Sequence, residues 1–104
     1  MNFSIVIPAH NEENNIAKTL NSIERSVTGE YEIIVVDDHS ADNTADIVSK
    51  LTAEYKNIRL ARNKNEAGFA DALRAGFNSA NSAIIVPVMA DLCDDPGTIN
   101  TMYG

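Results

Sequence analysis

A single cysteine, Cys93, rules out an intrachain disulfide and with it the stapled framework of small secreted proteins. Cations are scarce as well: 8 Lys and Arg face 15 Asp and Glu, a formal net charge of -7. That balance argues against nucleic-acid backbones and anionic membranes as partners, since both need a positive surface. A phosphate stays open as a ligand, because a metal ion reverses the local sign. Long apolar runs are missing too. The longest, Ala83 to Ala90, falls far short of the ~20 residues that span a bilayer. The start, Met1 to Ser4, lacks the basic n-region of a signal peptide. Together these absences predict a soluble, cytoplasmic chain, with a membrane-borne substrate, and so a place at the membrane surface, still open. No Gly-x-Gly-x-x-Gly and no Gly-x-x-x-x-Gly-Lys-Ser/Thr occurs, so phosphate is not gripped by a cradle of bare backbone amides.

The 104 residues, 44% hydrophobic and 22% charged, are a soluble globular domain at most one domain long. Short β-branched runs alternate with stretches of helical period, the pattern of βαβ units and a parallel sheet. Strands are expected at Asn2 to Ile7, Tyr31 to Val36, Ile58 to Ala61 and Ala83 to Met89. The last, continuously apolar, should be covered on both faces. Pro87 inside it means an open ladder there or an edge position. The first helix is expected to be capped by Asn11, with Glu12 and Glu13 in its first turn and Ile16, Leu20, Ile23 and Val27 on one stripe. Gly29 ends it. The second runs from Ala41 to Tyr55 with Ile47, Val48, Leu51 and Tyr55 inward; the third runs from Glu66 to Ala80 on Phe69, Ala70, Leu73, Phe77 and Ala80. Asp95-Pro96 reads as a cap and first position of a further helix. With no strand after it, the chain reads as part of a larger, truncated α/β domain.

Three strands end in polar or acidic residues: Pro8-Ala9-His10-Asn11-Glu12, Asp37-Asp38, and Ala90-Asp91 with Asp94 and Asp95 beyond. In a doubly wound sheet these collect at one edge, where like charges are costly unless a cation or hydrogen-bonding ligand sits among them. The first and fourth strands then flank the topological switch point, where ligands bind. A diphosphate there needs a divalent metal, and Asp91, Asp94 and Asp95 offer the hard oxygens that suit Mg²⁺ or Mn²⁺. Asp38 is better placed to accept hydrogen bonds from a base or ribose. The plainer alternatives are that Asp37, Asp38 and Ser40 make a turn and cap the second helix, and that Asp94 or Asp95 caps the next. His10 and His39 read as turn residues at the rim. Cys93, set between acids, is a poor nucleophile. Lys56, Arg59, Arg62 and Lys64 read as a solvated face, with Arg62 within reach of the crevice.

The segments Ser4 to Glu13, Glu32 to Ser40 and Ala41 to Thr44, followed in order by Asn65-x-x-Gly68, Ala72-Leu73-x-x-Gly76 and Val88 to Leu92, resemble the family 2 inverting glycosyltransferases with a GT-A fold. Within that family the chain looks most like the dolichyl- and polyprenyl-phosphate sugar transferases. The resemblance implies a Rossmann-like α/β sheet, residues 1–104 being the N-terminal nucleotide-sugar-binding part. It implies a UDP- or GDP-sugar donor, a lipid-phosphate acceptor and a divalent metal. It puts Pro8, Ala9, His10, Glu12, Asp37, Asp38, Ala90 and Asp91 at the nucleotide and Asp91 with Asp94 at the metal. The family's Asp-x-Asp has Met89 in place of its first acid here. The region holding the catalytic base lies beyond these residues in such enzymes, so the chain alone is expected to bind donor weakly and turn nothing over. The rival reading is a non-catalytic domain that self-associates through the edge of its fourth strand. A receiver-like phosphoacceptor domain would need an acid pair after the first strand, which is absent.

Overall fold

The computed structural model of the chain describes residues 3–64 and 67–89. Four parallel strands, β1 (Phe3–Ala9), β2 (Tyr31–Asp37), β3 (Ile58–Arg62) and β4 (Ile85–Pro87), alternate with α1 (Ile16–Ser26), α2 (Thr44–Glu54) and α3 (Phe69–Ser79). Their order is β3-β2-β1-β4, so the chain crosses from one side of β1 to the other, as the doubly wound reading requires. All carboxyl ends share one edge, with Ala9 beside Asp37 and Asp37 beside Arg62.

Side-chain alternation along β1 and β2 divides the core in two. Phe3, Ile5, Ile7, Ile33 and Val35 face α1 and α2, meeting Ile16, Leu20, Ile23, Val48 and Leu51. Val6, Ile34 and Val36 face α3 and meet Ala72. Each such fully buried aliphatic side chain contributes about 1.5–3 kcal/mol.

The two prolines in strands sit where no donor is needed. Ser4 N–H donates to Ile84 O and Val88 N–H to Val6 O, so residues 84 and 88 face β1 and residue 87 faces outward. Among the described residues β4 is an edge strand, and the missing N–H of Pro87 points off that edge. In β1, Pro8 follows the same alternation toward β4, beyond the last paired position, Val6 with Pro87.

Several boundaries differ from expectation, for one shared reason. Asn11 does not cap α1: it takes a left-handed φ of 52°, and regular helix begins only at Ile16. Glu12 and Glu13 therefore precede the first turn, which holds no acid. Likewise α2 begins at Thr44 rather than Ala41. The polar residues expected to cap helices are engaged with the neighbouring loop instead. Strand β4 is shorter than Ala83 to Met89; Val86 packs on the α1–α2 side of the core and Ile85 on the α3 side, while Ile84 and Met89 beyond its ends are exposed. On α3 Leu73 and Ala80 pack against the sheet as expected, but the buried residues are Ala72 and Gly76, and Ala70 and Phe77 are exposed.

Candidate functional site

At the carboxyl edge the loops after β1 and β2 are stitched to each other. Asn11 N–H donates to Ser40 Oγ (3.0 Å), and Ala41 N–H donates to Asn11 Oδ1 (2.8 Å). Glu12 N–H donates to Thr44 Oγ1 (2.8 Å), Glu13 N–H to Asp42 Oδ2 (3.2 Å), and Asn43 N–H to Glu13 Oε2 (2.9 Å). These short polar side chains satisfy backbone donors that neither helix bonds internally. The Asp42 carboxyl lies below its usual range: desolvation pushes it up, but the Thr44 hydroxyl and the N–H groups of Thr44 and Glu13 outweigh that. Thr44→Val keeps the shape but strands the Glu12 N–H. We expect a loss of about 1–2 kcal/mol in urea denaturation.

His10 extends the seam. Its Nδ1 lies 2.6 Å from the Asp38 carbonyl oxygen, and its Nε2 lies 3.3 Å from Asn11 Nδ2. A carbonyl only accepts, so Nδ1 carries the proton. The Asn11 amide is oriented by its bond from Ala41, which turns its NH₂ toward Nε2 as donor. The ring is thus held as one tautomer at the exposed rim. Among the described residues, Glu12 Oε2 is the buried side-chain oxygen without a hydrogen-bond partner.

The two acids of β2 divide their work. Asp37 accepts from Ser40 N–H at 3.3 Å, the expected turn role, and pairs with Arg62 at 3.3 Å. Arg62 is mostly exposed, so this pair adds little stability. Asp38, 7% exposed, does not cap α2. Its Oδ1 accepts from Asn63 Nδ2 at 2.9 Å, and Gly68 N–H reaches its Oδ2 at 3.0 Å and Oδ1 at 3.3 Å. The charges of Asp37 and Asp38 are thus compensated by the protein's own donors and one arginine. The basic group is not a uniformly solvated face, since Arg59 also binds a buried acid, Glu32.

The structure brings Pro8, Ala9, His10, Glu12, Asp37 and Asp38 together at one edge. Ala90, Asp91 and Asp94, with Cys93 and the helix after Asp95, lie outside the described residues. Among the described residues no group of three His, Cys, Asp or Glu is arranged to hold a metal. Asn63 was not singled out from sequence. Its partner is 25 residues away, and no local spacing signals the contact. Among the described residues no helix is long and apolar enough to cross a membrane.

Comparison with known proteins matches this geometry to a family. The dolichol-phosphate mannosyltransferase of Pyrococcus furiosus is 34% identical over 100 residues, covering 95% of this chain and 28% of that protein. The structure of S. aureus TarS 1-349 in complex with UDP superposes with a TM-score of 0.83 at 27% identity, over 98% of this chain and 31% of that one. The mannosyltransferase PcManGT of Pyrobaculum calidifontis, solved with GDP-Man and Mn²⁺, gives a TM-score of 0.78 at 26% identity, over 86% of this chain and 27% of that one. The chain spans under a third of the length of each of these proteins. The family model described as Glycosyl transferase family 2 matches residues 4–104. With that match running through both stitched loops and the Asp37-Asp38 strand end, the chain belongs to glycosyl transferase family 2.

Proposed function

We propose that residues 1–104 are the nucleotide-sugar-binding part of a glycosyltransferase whose donor is a UDP- or GDP-sugar and whose acceptor is a polyprenyl phosphate. The observation that carries this reading is Asp38: a nearly buried carboxylate at the carboxyl edge, oriented by Asn63 and Gly68 and flanked by the fixed ring of His10. Oriented acceptors beside a rigid wall are what recognition of a base requires. Pro8, Ala9, His10 and Glu12 line the nucleotide. Ala90 and Asp91, outside the described residues, would contact the sugar diphosphate. The similarity to proteins bound to UDP and to GDP-Man supports the donor class, and that to a dolichol-phosphate enzyme supports the acceptor.

The reaction is an inverting displacement. The acceptor oxygen bonds to the anomeric carbon as the bond to the diphosphate oxygen breaks, and the nucleoside diphosphate leaves with that electron pair. Asp91 and Asp94 would hold Mg²⁺ or Mn²⁺, whose bound charge offsets that of the departing diphosphate. The acceptor oxygen is activated by a base or, in a polyprenyl phosphate, is already anionic and acts as the nucleophile itself; we expect this chain alone to bind donor without turnover. Self-association through β4 draws less support, because the edge is three residues long and carries Pro87 outward. A dimer in light scattering at high concentration would revive it.

NMR titration of the ¹⁵N-labelled chain tests the proposal. UDP or GDP with Mg²⁺ is expected to shift the amides of His10, Asp38 and Gly68, with a Kd on the order of millimolar. Mn²⁺ should broaden signals centred on Asp91 and Asp94. Unchanged spectra with every nucleotide at millimolar concentration would overturn the reading.

A further inference from the structure

We propose that Glu32 is a positioning residue: by holding Asn81 it fixes the register of β4 on β1, and with it the diphosphate side of the site. The second half of this inference rests on the reading that Ala90 and Asp91, which follow β4 in sequence, contact the sugar diphosphate. Strand β4 pairs with β1 at Ser4–Ile85, Ile5–Val86 and Val6–Pro87, and it is an edge strand among the described residues. An alternating sequence specifies register, because a slip of one residue exchanges the two faces. This strand has no such alternation. The run from Ala83 to Met89 is continuously apolar, and it meets apolar neighbours on both sides, through Val86 on one and Ile85 on the other. Pro87 supplies half of the missing constraint. A slip of one residue would turn its ring nitrogen toward β1 and delete a ladder bond. A slip of two residues keeps Pro87 outward and every side chain on its own face, so the strand itself does not forbid it.

Asn81 excludes the slips that remain. Only Ser82 and Ala83 separate it from Ile84, whose carbonyl oxygen accepts from Ser4 N–H at 2.8 Å. Its backbone N–H donates to Glu32 Oε2 at 2.6 Å, and its Nδ2 donates to Oε1 at 3.3 Å. Glu32 cannot shift to follow. It is 1% exposed, its Oε2 also accepts from Ser4 Oγ at 2.6 Å, and its backbone is locked beside Ser4 in the β1–β2 ladder. A buried carboxylate on an inner strand thus grips the segment that enters the edge strand. A slip of two residues would carry Asn81 about 7 Å along the strand direction and break both bonds. The same displacement would pass down the chain to Ala90 and Asp91, while His10 and Asp38 stay where β1 and β2 hold them. Glu32 lies at the far end of the sheet from the ligand and acts on it only through β4.

Through-hydrogen-bond NMR couplings read the register directly, with or without a ligand. In the wild-type chain Ser4 N–H should couple to the Ile84 carbonyl and Val88 N–H to the Val6 carbonyl. Glu32→Ala releases Asn81, and both couplings should vanish or move by two residues, while that of Asp38 N–H to the Ala9 carbonyl persists. Glu32→Gln keeps an acceptor for Asn81 N–H and should retain the wild-type couplings. So should Ser4→Ala, which weakens the cluster but leaves Asn81 held. Asn81→Pro covers the case in which Glu32→Ala does not fold. It deletes the N–H, leaves Glu32 its bonds from Ser4 and Arg59, and follows an Ala80 already extended at φ −71° and ψ 139°, as a proline requires. Unchanged couplings in either variant, or loss of the whole fold in Asn81→Pro, overturn the proposal. Binding gives the second readout. In Glu32→Ala and Asn81→Pro the Kd of UDP or GDP with Mg²⁺, whichever the wild-type chain binds, should rise about tenfold, with the shifts at His10, Asp38 and Gly68 retained at saturation. A released register with unchanged affinity overturns the positioning role. A wild-type chain that binds neither nucleotide overturns the proposed function instead, and the couplings alone then decide whether Glu32 sets the register.

Discussion

Alanine at position 76 is expected to lower the free energy of unfolding by about 2–3 kcal/mol, the upper part of the range for overpacking a core. On an exposed helix the same change would stabilise by about 1 kcal/mol, because glycine is a poor helix former. Here the added methyl would clash with Val6 Cγ1 and stand 3.1 Å from Val36 Cγ2 and 3.3 Å from Val6 Cγ2. Both valines are fully buried, and their β-branched side chains have no free rotamer to retreat into. Relief requires α3 to lift from the sheet. The loss should appear as a fall in melting temperature of about 8–20 °C. Val6→Ala, itself costly, makes room for the methyl, so the double variant should be more stable than the sum of the single losses by at least about 1 kcal/mol. Strict additivity would mean that the helix does not approach the sheet so closely.

The second large effect lies at the other end of the sheet. Glu32 is 1% exposed, yet its carboxylate accepts from Ser4 Oγ at 2.6 Å, Asn81 N–H at 2.6 Å and Arg59 Nη2 at 2.8 Å. Arg59 also donates to Ser79 O, so one acid ties β1, β2 and β3 to the segment leaving α3. Glu32→Ala strands the Ser4 hydroxyl and the Asn81 N–H and should cost about 3 kcal/mol. Arg59→Ala should cost about 1 kcal/mol or less, since the guanidinium is half-exposed. Acidity gives an independent check. Burial raises the Glu32 carboxyl, but the bonds from Ser4, Asn81 and Arg59 outweigh it and hold it below the usual glutamate range. A depressed folded-state value contributes stability that is complete above the unfolded value, about 4.3, and is lost as pH falls through the folded one. Urea midpoints measured from pH 7 down to 3 should therefore fall less steeply in Glu32→Gln than in the wild-type chain.

The strands were legible because of their β-branched runs, although β1 continues through Pro8 to Ala9 and β2 and β3 each run one residue past the expected end, to Asp37 and Arg62. Their order followed from handedness, and Pro87 pointed to an edge. The helix starts were misread because Asn11 and Glu13 carry cap chemistry but spend it across loops about 30 residues apart in sequence, which no local pattern records. On α3 hydrophobicity pointed to Phe77, whereas closeness to the sheet favoured the residue with no side chain, Gly76. The acidic edge was visible as a set of charges. The partners that divide it, Arg62 for Asp37 and Asn63 for Asp38, appear only once β3 lies beside β2.

The stitched loops also bear on how firmly a ligand can be held at this edge. A slack loop must be ordered when its ligand arrives, and each immobilised side chain subtracts about 0.5–1.5 kcal/mol from affinity. In this chain that ordering is completed during folding, by the side chains of Asn11, Glu13, Ser40, Asp42 and Thr44 gripping opposite backbones. The wall is a finished template before anything docks. A molecule that meets it must already have the matching outline, because the wall will not mould itself to a poorer one.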